Sequence, residues 1–126
     1  MNILVWVIQL LLAAAFFAHG WMALAPSPEI AAQLLEAYPR GFWVFLGVAE
    51  IAAAMGLILP AATRIQPWLV TWAAASVMFV MVSATIHHLR RGESSPAVIT
   101  FVLLTMATFV AYMRWKVVPI RSRQRR

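Results

Sequence analysis

The sequence predicts an all-α membrane protein, a bundle of four transmembrane helices with a short amphipathic helix between the first two. Of its 126 residues, 63% are hydrophobic and only 11% are charged, whereas soluble domains carry about 25% charged residues. The mean hydropathy is +0.83. Four long apolar runs fill the chain, so we expect residues 1–126 to form a single integral membrane domain without a soluble part.

The four spans are predicted over about residues 3–25, 43–60, 68–88 and 97–116. At 1.5 Å per residue, about 20 residues cross a hydrocarbon layer of about 30 Å. The first and third runs reach this length. The uncharged run Trp43 to Pro60 is slightly short and the run Ala97 to Met113 shorter still, so we expect the second and fourth helices to tilt less or to extend into the interface. No Lys or Arg precedes the first run, which favours a retained span over a cleaved secretory signal.

The short helix is predicted in the one long connection, residues 26–42. Ser27 can cap its start, Pro28 suits its first turn, and Glu29 places negative charge at the positive end of the helix dipole. We expect the helix from about Pro28 to Tyr38, with an apolar side on the membrane interface. In that position it would form a lid over the mouth of the bundle.

The basic residues predict the orientation. With both termini in the cytoplasm, seven basic residues lie inside and three outside, the bias typical of multi-pass plasma-membrane proteins of bacteria. The inner set is Arg64, Arg114, Lys116, Arg121, Arg123, Arg125 and Arg126, and the outer set is Arg40, Arg90 and Arg91. The basic tail, residues 119–126, directly follows a span. Anionic lipid headgroups are therefore its expected partner, and nucleic acid is not.

Glu50 is the strongest indication of function. It lies within an otherwise uncharged run from Trp43 to Pro60. An acidic residue at bilayer depth costs about 2.5–3.5 kcal/mol on the insertion scale, so it needs a partner, a proton or a role. Gly47, Glu50 and Ala54 share one helix face beside a strip of small residues, which allows a neighbouring helix to approach closely. We expect the carboxyl to face the bundle interior.

Three histidines could meet this carboxyl. His19 lies late in the first span, while His87 and His88 end the third, which places all three in the same leaflet as Glu50. Ser83 and His87 share a stripe at a spacing of four, and His88 points about 100° away from it. We therefore expect His87, rather than His88, to face the bundle.

The expected site combines these groups in a small polar cavity with apolar walls. Its proton donors and acceptors would be Glu50, His19 and His87, and its ligand-lining residues Gly47, Ala54, Ser83 and Trp43. A buried carboxyl could donate to a carbonyl or quinone oxygen, accept a proton, or pair with a cation. The spacings HExxH and paired Glu-x-x-His are absent, which disfavours a metal site, and the lack of Cys excludes thiol chemistry.

Three motifs add a resemblance. They are Phe-Phe-Ala-His-Gly-Trp at 16–21, Gly-x-x-Glu at 47–50 followed by Gly-x-x-x-Pro at 56–60, and the stretch from Ala84 to Gly92. In this order, over nearly the whole chain, the sequence resembles the DoxX-like family of small four-helix membrane proteins. The resemblance implies a membrane subunit of a thiosulfate:quinone oxidoreductase or an organiser of membrane-bound redox or detoxification assemblies.

Two classes of function stay open. In the first, the bundle binds a small lipophilic molecule such as a quinone beneath residues 26–42. Glu50 and a His would then supply protons, and a partner protein would supply electrons. In the second, the chain is a non-catalytic assembly or scaffold subunit, alone or as a homo-oligomer, and Glu50 pairs with His19 or His87 to fix the helix register. An isomerase or hydrolase that uses the Glu-His pair as acid and base on an apolar substrate ranks below both. No covalent cofactor is expected.

Overall fold

The computed structural model describes residues 1–123, and over them the chain folds into helices without a strand. The elements are α1 (Asn2–Leu24), α2 (Pro28–Ala37), α3 (Arg40–Thr63), α4 (Leu69–Arg90) and α5 (Ser94–Tyr112), and α5 continues through a π-helical turn (Met113–Val117). The predicted all-α fold is confirmed.

Four helical segments are long and apolar enough to cross a membrane. They are Asn2–Leu24, Arg40–Thr63, Leu69–Arg90 and Ser94–Val117. Two of them, predicted to be short, are longer than expected at 24 residues each, because the helices continue through polar residues on both sides of the apolar run. The basic segment 119–126 was predicted as a tail, and its last three residues, 124–126, lie outside the described part.

The predicted helix in the long connection is confirmed as α2. The Ser27 hydroxyl accepts a hydrogen bond from the Ile30 amide, Pro28 opens the first turn, and Glu29 lies within that turn. The helix ends at Ala37, one residue before the predicted end. None of its residues is buried, so α2 packs on the outside of the bundle, mainly against α3, without forming part of the core.

Within the bundle, α1 packs mainly against α3 and α4 mainly against α5, while α3 and α4 join the two pairs. The buried residues of α1, α3 and α4 recur mainly at spacings of three and four, the pattern of helix bundles. On α4 this inward stripe is Val70, Ala74, Val77 and Met81. The core cluster includes Leu12, Phe16, Leu57, Val77 and Val110.

The two ends of the bundle differ. At one end, which we call the α2 end, the end of α1 and the start of α3 meet beneath α2. At the other, the tail end, the start of α1 meets the α3–α4 turn and residues 113–123. There the Arg123 amide donates to the Arg64 carbonyl oxygen at 2.9 Å, and Ile120 packs against the core. The first and last described residues thus lie at the same end.

Candidate functional site

A buried carboxyl-imidazole pair joins α1 and α3 in the half of the bundle nearer the α2 end. Glu50 is only 3% exposed, and its Oε2 lies 2.6 Å from Nδ1 of His19. The expectation that Glu50 faces the interior is confirmed. A bond this short between an acid and an imidazole holds one proton between them, so the pair can accept or release a proton without a further protein group.

Two glycines explain why the helices come close enough for this pair. Gly20 follows His19 in α1 and lies against Gly47 of α3, one turn before Glu50. A Cβ atom on either glycine would lie 2.8 Å from the carbonyl oxygen of the other, nearer than real Cβ atoms come. A small residue on the face of α3 that carries Glu50 therefore lets the two helix backbones meet, as small residues do in many membrane proteins.

The two partners differ in accessibility. The His19 side chain is 47% exposed, against 3% for Glu50. His19 nevertheless continues the inward stripe of α1, three residues after the buried Phe16. The imidazole therefore lies between the buried carboxyl and the outer surface of the bundle.

The structure does not bring His87 to Glu50. Nδ1 of His87 lies 3.2 Å from the Tyr38 hydroxyl, and the two rings are 5.6 Å apart between centroids. Its neighbour His88 pairs with Glu93 at 2.6 Å. Of the predicted proton-exchanging groups, the structure thus joins His19 and Glu50 and leaves His87 at the end of α2.

Ser83 also lies away from the pair. It is exposed on α4, and its hydroxyl donates to the Phe79 carbonyl oxygen at 3.0 Å. The predicted inward stripe through Ser83 was wrong because a serine in a membrane helix satisfies its hydroxyl within its own turn and can face lipid. The observed stripe continues from Met81 to Thr85, whose hydroxyl donates to that of Thr100 on α5 at 2.8 Å.

The predicted ligand-lining residues separate into two places. Gly47 and Ala54 are buried on the face of α3 that carries Glu50. Trp43 instead lines a cavity of about 210 Å³ beneath α2, together with Pro26, Ala31, Leu34, Leu35 and Arg40. Trp43 precedes Glu50 by seven residues, or about 10 Å along a helix. The cavity therefore lies on the α2 side of the pair, and its walls are apolar apart from one guanidinium.

Two side chains of α3 tie the rim of this cavity together. Nε1 of Trp43 donates to the Leu34 carbonyl oxygen of α2 at 2.7 Å. The Arg40 guanidinium donates to the carbonyl oxygens of Ala23, at 2.6 Å, and Leu24. These are end carbonyls of α1, which lack partners within the helix and carry its negative dipole end. Sequence reasoning missed this role of Arg40, because the Arg lies 16 residues beyond Leu24 in the chain and only the fold brings it to the end of α1.

A second buried polar group lies at the tail end and was not expected as a site. Gln9 and Arg114 are both buried, and Nε of Arg114 donates to Oε1 of Gln9 at 2.9 Å. The signal in the sequence was a lone amide within an apolar run. Within residues 1–123, no group of three or more His, Asp, Glu or Cys side chains is placed to hold a metal ion.

The fold and the pair define the chain as a small four-helix integral membrane protein with a buried acid-imidazole link between two spans. A sequence model of the DoxX-like family matches residues 7–110. The match covers most of the chain, including His19 and Glu50, and the protein belongs to the DoxX-like family, as its motifs predicted. No curated protein and no solved structure matches the chain.

Proposed function

We propose that this DoxX-like protein binds a small lipophilic molecule with a carbonyl or hydroxyl head, such as a quinone, at the α2 end of its bundle. The His19–Glu50 pair would exchange a proton with that head. The observation that carries the proposal is the difference in exposure within the pair. Glu50 is shielded from water and bonded to an imidazole that is itself 47% exposed, an arrangement suited to passing a proton to a bound molecule.

The cavity beneath α2 supports a binding site at this end. Its apolar walls suit a ring, and Arg40 could face an electron-rich oxygen. At about 210 Å³ it is smaller than the pockets of about 300–1,000 Å³ that enclose drug-sized ligands. We infer that the cavity is the entrance for the head of the molecule, which would pass on to the His19 imidazole while the apolar tail stays among the lipids.

The protein's own part in such a reaction would be proton transfer and positioning. Reduction of a quinone to a quinol consumes two electrons and two protons, and His19 and Glu50 can supply protons only. The electrons would come from a redox-active partner protein, which makes the chain a membrane subunit of a redox or detoxification system.

The proposed location is the plasma membrane of a bacterium, with both termini in the cytoplasm. The α2 end would then face outwards and the tail end inwards. This orientation rests on the bias of basic residues, since most of them occur towards the tail end. Quinones dissolve in the same bilayer, so they could reach the α2 end from the side.

The second candidate function is a non-catalytic assembly subunit in which the pair only fixes helix register. The contact between Gly20 and Gly47 favours it, because the pair sits beside this close approach of the α1 and α3 backbones. The lining of the cavity also favours it, since Glu50 is not among the lining residues. A buried polar pair can hold two helices in one alignment without any ligand.

Ligand binding at controlled pH separates the two functions. The purified protein in lipid nanodiscs would be titrated with a short-chain ubiquinone analogue from about pH 5 to 8, as wild type, as Glu50→Gln and as the control Glu36→Gln. Glu36 is exposed on α2 and does not line the cavity. Circular dichroism would confirm that each variant remains helical.

We expect the wild type and Glu36→Gln to bind with the same pH dependence, and Glu50→Gln to lose that dependence and bind about tenfold more weakly, the equivalent of one hydrogen bond to a charged group. If Glu50→Gln binds the analogue as the wild type does, or if the wild type does not bind it, the quinone proposal fails. Reduced thermal stability of Glu50→Gln with unchanged binding would favour the assembly subunit.

A further inference from the structure

Arg114 is a cation enclosed in the bundle. Only 5% of it is exposed, and it belongs to the π-helical turn that follows α5. Its Nε donates to Gln9, its Nη1 donates to Oδ1 of Asn2 at 2.8 Å and to the Val118 carbonyl oxygen at 3.3 Å, and its guanidinium lies over the Trp6 ring at 5.2 Å. Every one of these partners is neutral.

Among residues 1–123, no carboxylate lies near this cation. The chain has four acidic side chains. Glu29 and Glu36 lie on α2, Glu93 starts α5, and Glu50 pairs with His19, so all four belong to the half of the bundle nearer the α2 end. A buried charge without a counter-ion costs several kcal/mol, which is why such charges in proteins are normally paired.

One donor of Arg114 is left over. Within residues 1–123, Nη2 of Arg114 is the only buried side-chain nitrogen or oxygen without a hydrogen-bond partner. An unsatisfied buried N–H is rare, and in a native structure it indicates a missing partner. Since the group is also charged and no carboxylate among residues 1–123 compensates it, an anion is the partner that best suits it.

The surrounding residues hold the guanidinium in a fixed orientation. Nε2 of Gln9 donates to the Leu57 carbonyl oxygen of α3, so the amide oxygen of Gln9 faces Arg114. Pro60, within the same part of α3, lacks an amide hydrogen and loosens the helix's own hydrogen bonds there. Arg114 itself lies in the π-helical turn, and turns of this kind commonly occur at functional sites.

The surface around Arg114 is basic. Arg64, Arg121 and Arg123 are exposed at the tail end, and the bond between Arg123 and the Arg64 carbonyl keeps their segments together. Lys116 lies over the Trp115 ring at 4.2 Å, and both are exposed, as expected of residues at the boundary between lipid and water. An anion that reached Arg114 would therefore come from the level of the lipid headgroups.

We propose that the tail end is a binding site for phosphate oxygens of anionic lipid headgroups, with Nη2 of Arg114 as the inner donor. Arg64, Arg121 and Arg123 would hold the outer part of the headgroup. The segment from Val118 to Arg123 follows the π-helical turn, and the Val118 carbonyl makes the longest of the Arg114 hydrogen bonds, at 3.3 Å, so this segment would move to admit the lipid. The site lies at the opposite end from the proposed quinone site, and either proposal can fail without the other.

The test is the thermal stability of the full chain in mild detergent with added phosphatidylglycerol, phosphatidylcholine or inorganic phosphate. We expect phosphatidylglycerol to raise the Tm of the wild type and phosphatidylcholine not to. Arg114→Lys keeps the charge but lacks the fork of donors, so the lipid concentration needed for half of the shift should rise about tenfold. Arg90→Gln, which removes an exposed charge at the opposite, α2 end of the bundle, should leave it unchanged.

A rise in Tm with inorganic phosphate alone would support the anion site and show that the lipid tail is dispensable. Equal shifts with the two lipids, or the same response in Arg114→Lys as in the wild type, would overturn the proposal. Should Arg114→Lys fail to fold, native mass spectrometry of the wild type decides. We expect a phosphatidylglycerol molecule to remain bound through delipidation, and its loss at the same rate as phosphatidylcholine would count against the site.

Discussion

Gly20 and Gly47 face each other across α1 and α3 with no space for a side chain between them. A Cβ on Gly20 would meet the Gly47 carbonyl oxygen at 2.8 Å and the Glu50 Cβ at 3.2 Å. The contact therefore sets the distance at which His19 reaches Glu50. Packing of this kind, rather than hydrophobicity, drives helix association in lipid, so the same two residues govern both stability and the geometry of the pair.

Replacing Gly47 by Ala should destabilise the protein and lengthen the His19–Glu50 bond. The added methyl would meet the Gly20 carbonyl oxygen and Leu24 Cγ, each at 2.8 Å, and forced overpacking of this kind costs about 1–3 kcal/mol. Reversible unfolding in detergent micelles would measure the loss.

Gly41→Ala is the matched control. It also lies in α3, but a Cβ there would have no atom within 4 Å. Ala is favoured over Gly in a helix by about 0.5–1 kcal/mol, so this variant should be unchanged or slightly more stable. Equal destabilisation by both substitutions would show that the close approach of α1 and α3 is not what holds these two helices together.

The sequence was sufficient to predict the fold because each signal for it is spread over many residues. Four apolar runs, a capped short helix and a family motif each depend on many residues, so α1 to α5 could be placed to within a few positions. Burial of Glu50 followed from its cost in lipid. The choice of His19 as its partner was one of two alternatives left open, and only the packing of α1 on α3 decides between them.

The sequence did not show which face of α4 points into the bundle. Ser83 and His87 are polar, which suggested an inward stripe, but the interior at that level takes Met81 and Thr85 instead. A hydroxyl that hydrogen-bonds within its own helix turn can face lipid or the bundle, so its place in the sequence does not indicate which side of the helix is inside. The role of Arg114 was hidden for a different reason: its partners Gln9 and Asn2 are more than a hundred residues away in the chain.

Trp43→Phe should loosen α2. The indole N–H donates to the Leu34 carbonyl oxygen, and α2 buries none of its own residues, so this bond is one of few that hold the helix. Hydrogen exchange of residues 28–37 should become faster, with the four spans unchanged. Trp72→Phe, a substitution at an exposed position of α4, should leave exchange in α2 as in the wild type. Unaltered exchange in Trp43→Phe would mean that the lid is held by other contacts.

Arg40→Gln should weaken the junction of α1 and α3. The guanidinium holds the last carbonyls of α1 at Ala23 and Leu24, and hydrogen bonds to a charged group contribute about 1.5–3 kcal/mol each at most, less where water competes. We expect a lower free energy of unfolding and faster exchange around residues 23–28. Arg90→Gln removes an equal charge from the exposed end of α4 and should have little effect. If both variants lost the same free energy of unfolding, Arg40 would act through its net charge and not through its hydrogen bonds to α1.

Glu93, in the connection between α4 and α5, should titrate below the ordinary range for a glutamate. Two hydrogen bonds lower the pKa of the Glu93 carboxyl. The larger effect comes from the bond with Nδ1 of His88, and the next from the bond with Nε of Arg91 at 2.9 Å. A carboxyl whose pKa is lower in the folded state stabilises that state at pH values above its ordinary pKa of about 4.3. The contribution declines as the pH falls through the folded-state value.

The carboxyl is partly exposed, so the effect on stability should be small, but the titration itself is measurable by NMR with labelled glutamate. His88→Gln should raise the Glu93 pKa more than Arg91→Gln does, and an unchanged titration in both variants would contradict the assignment of these two partners.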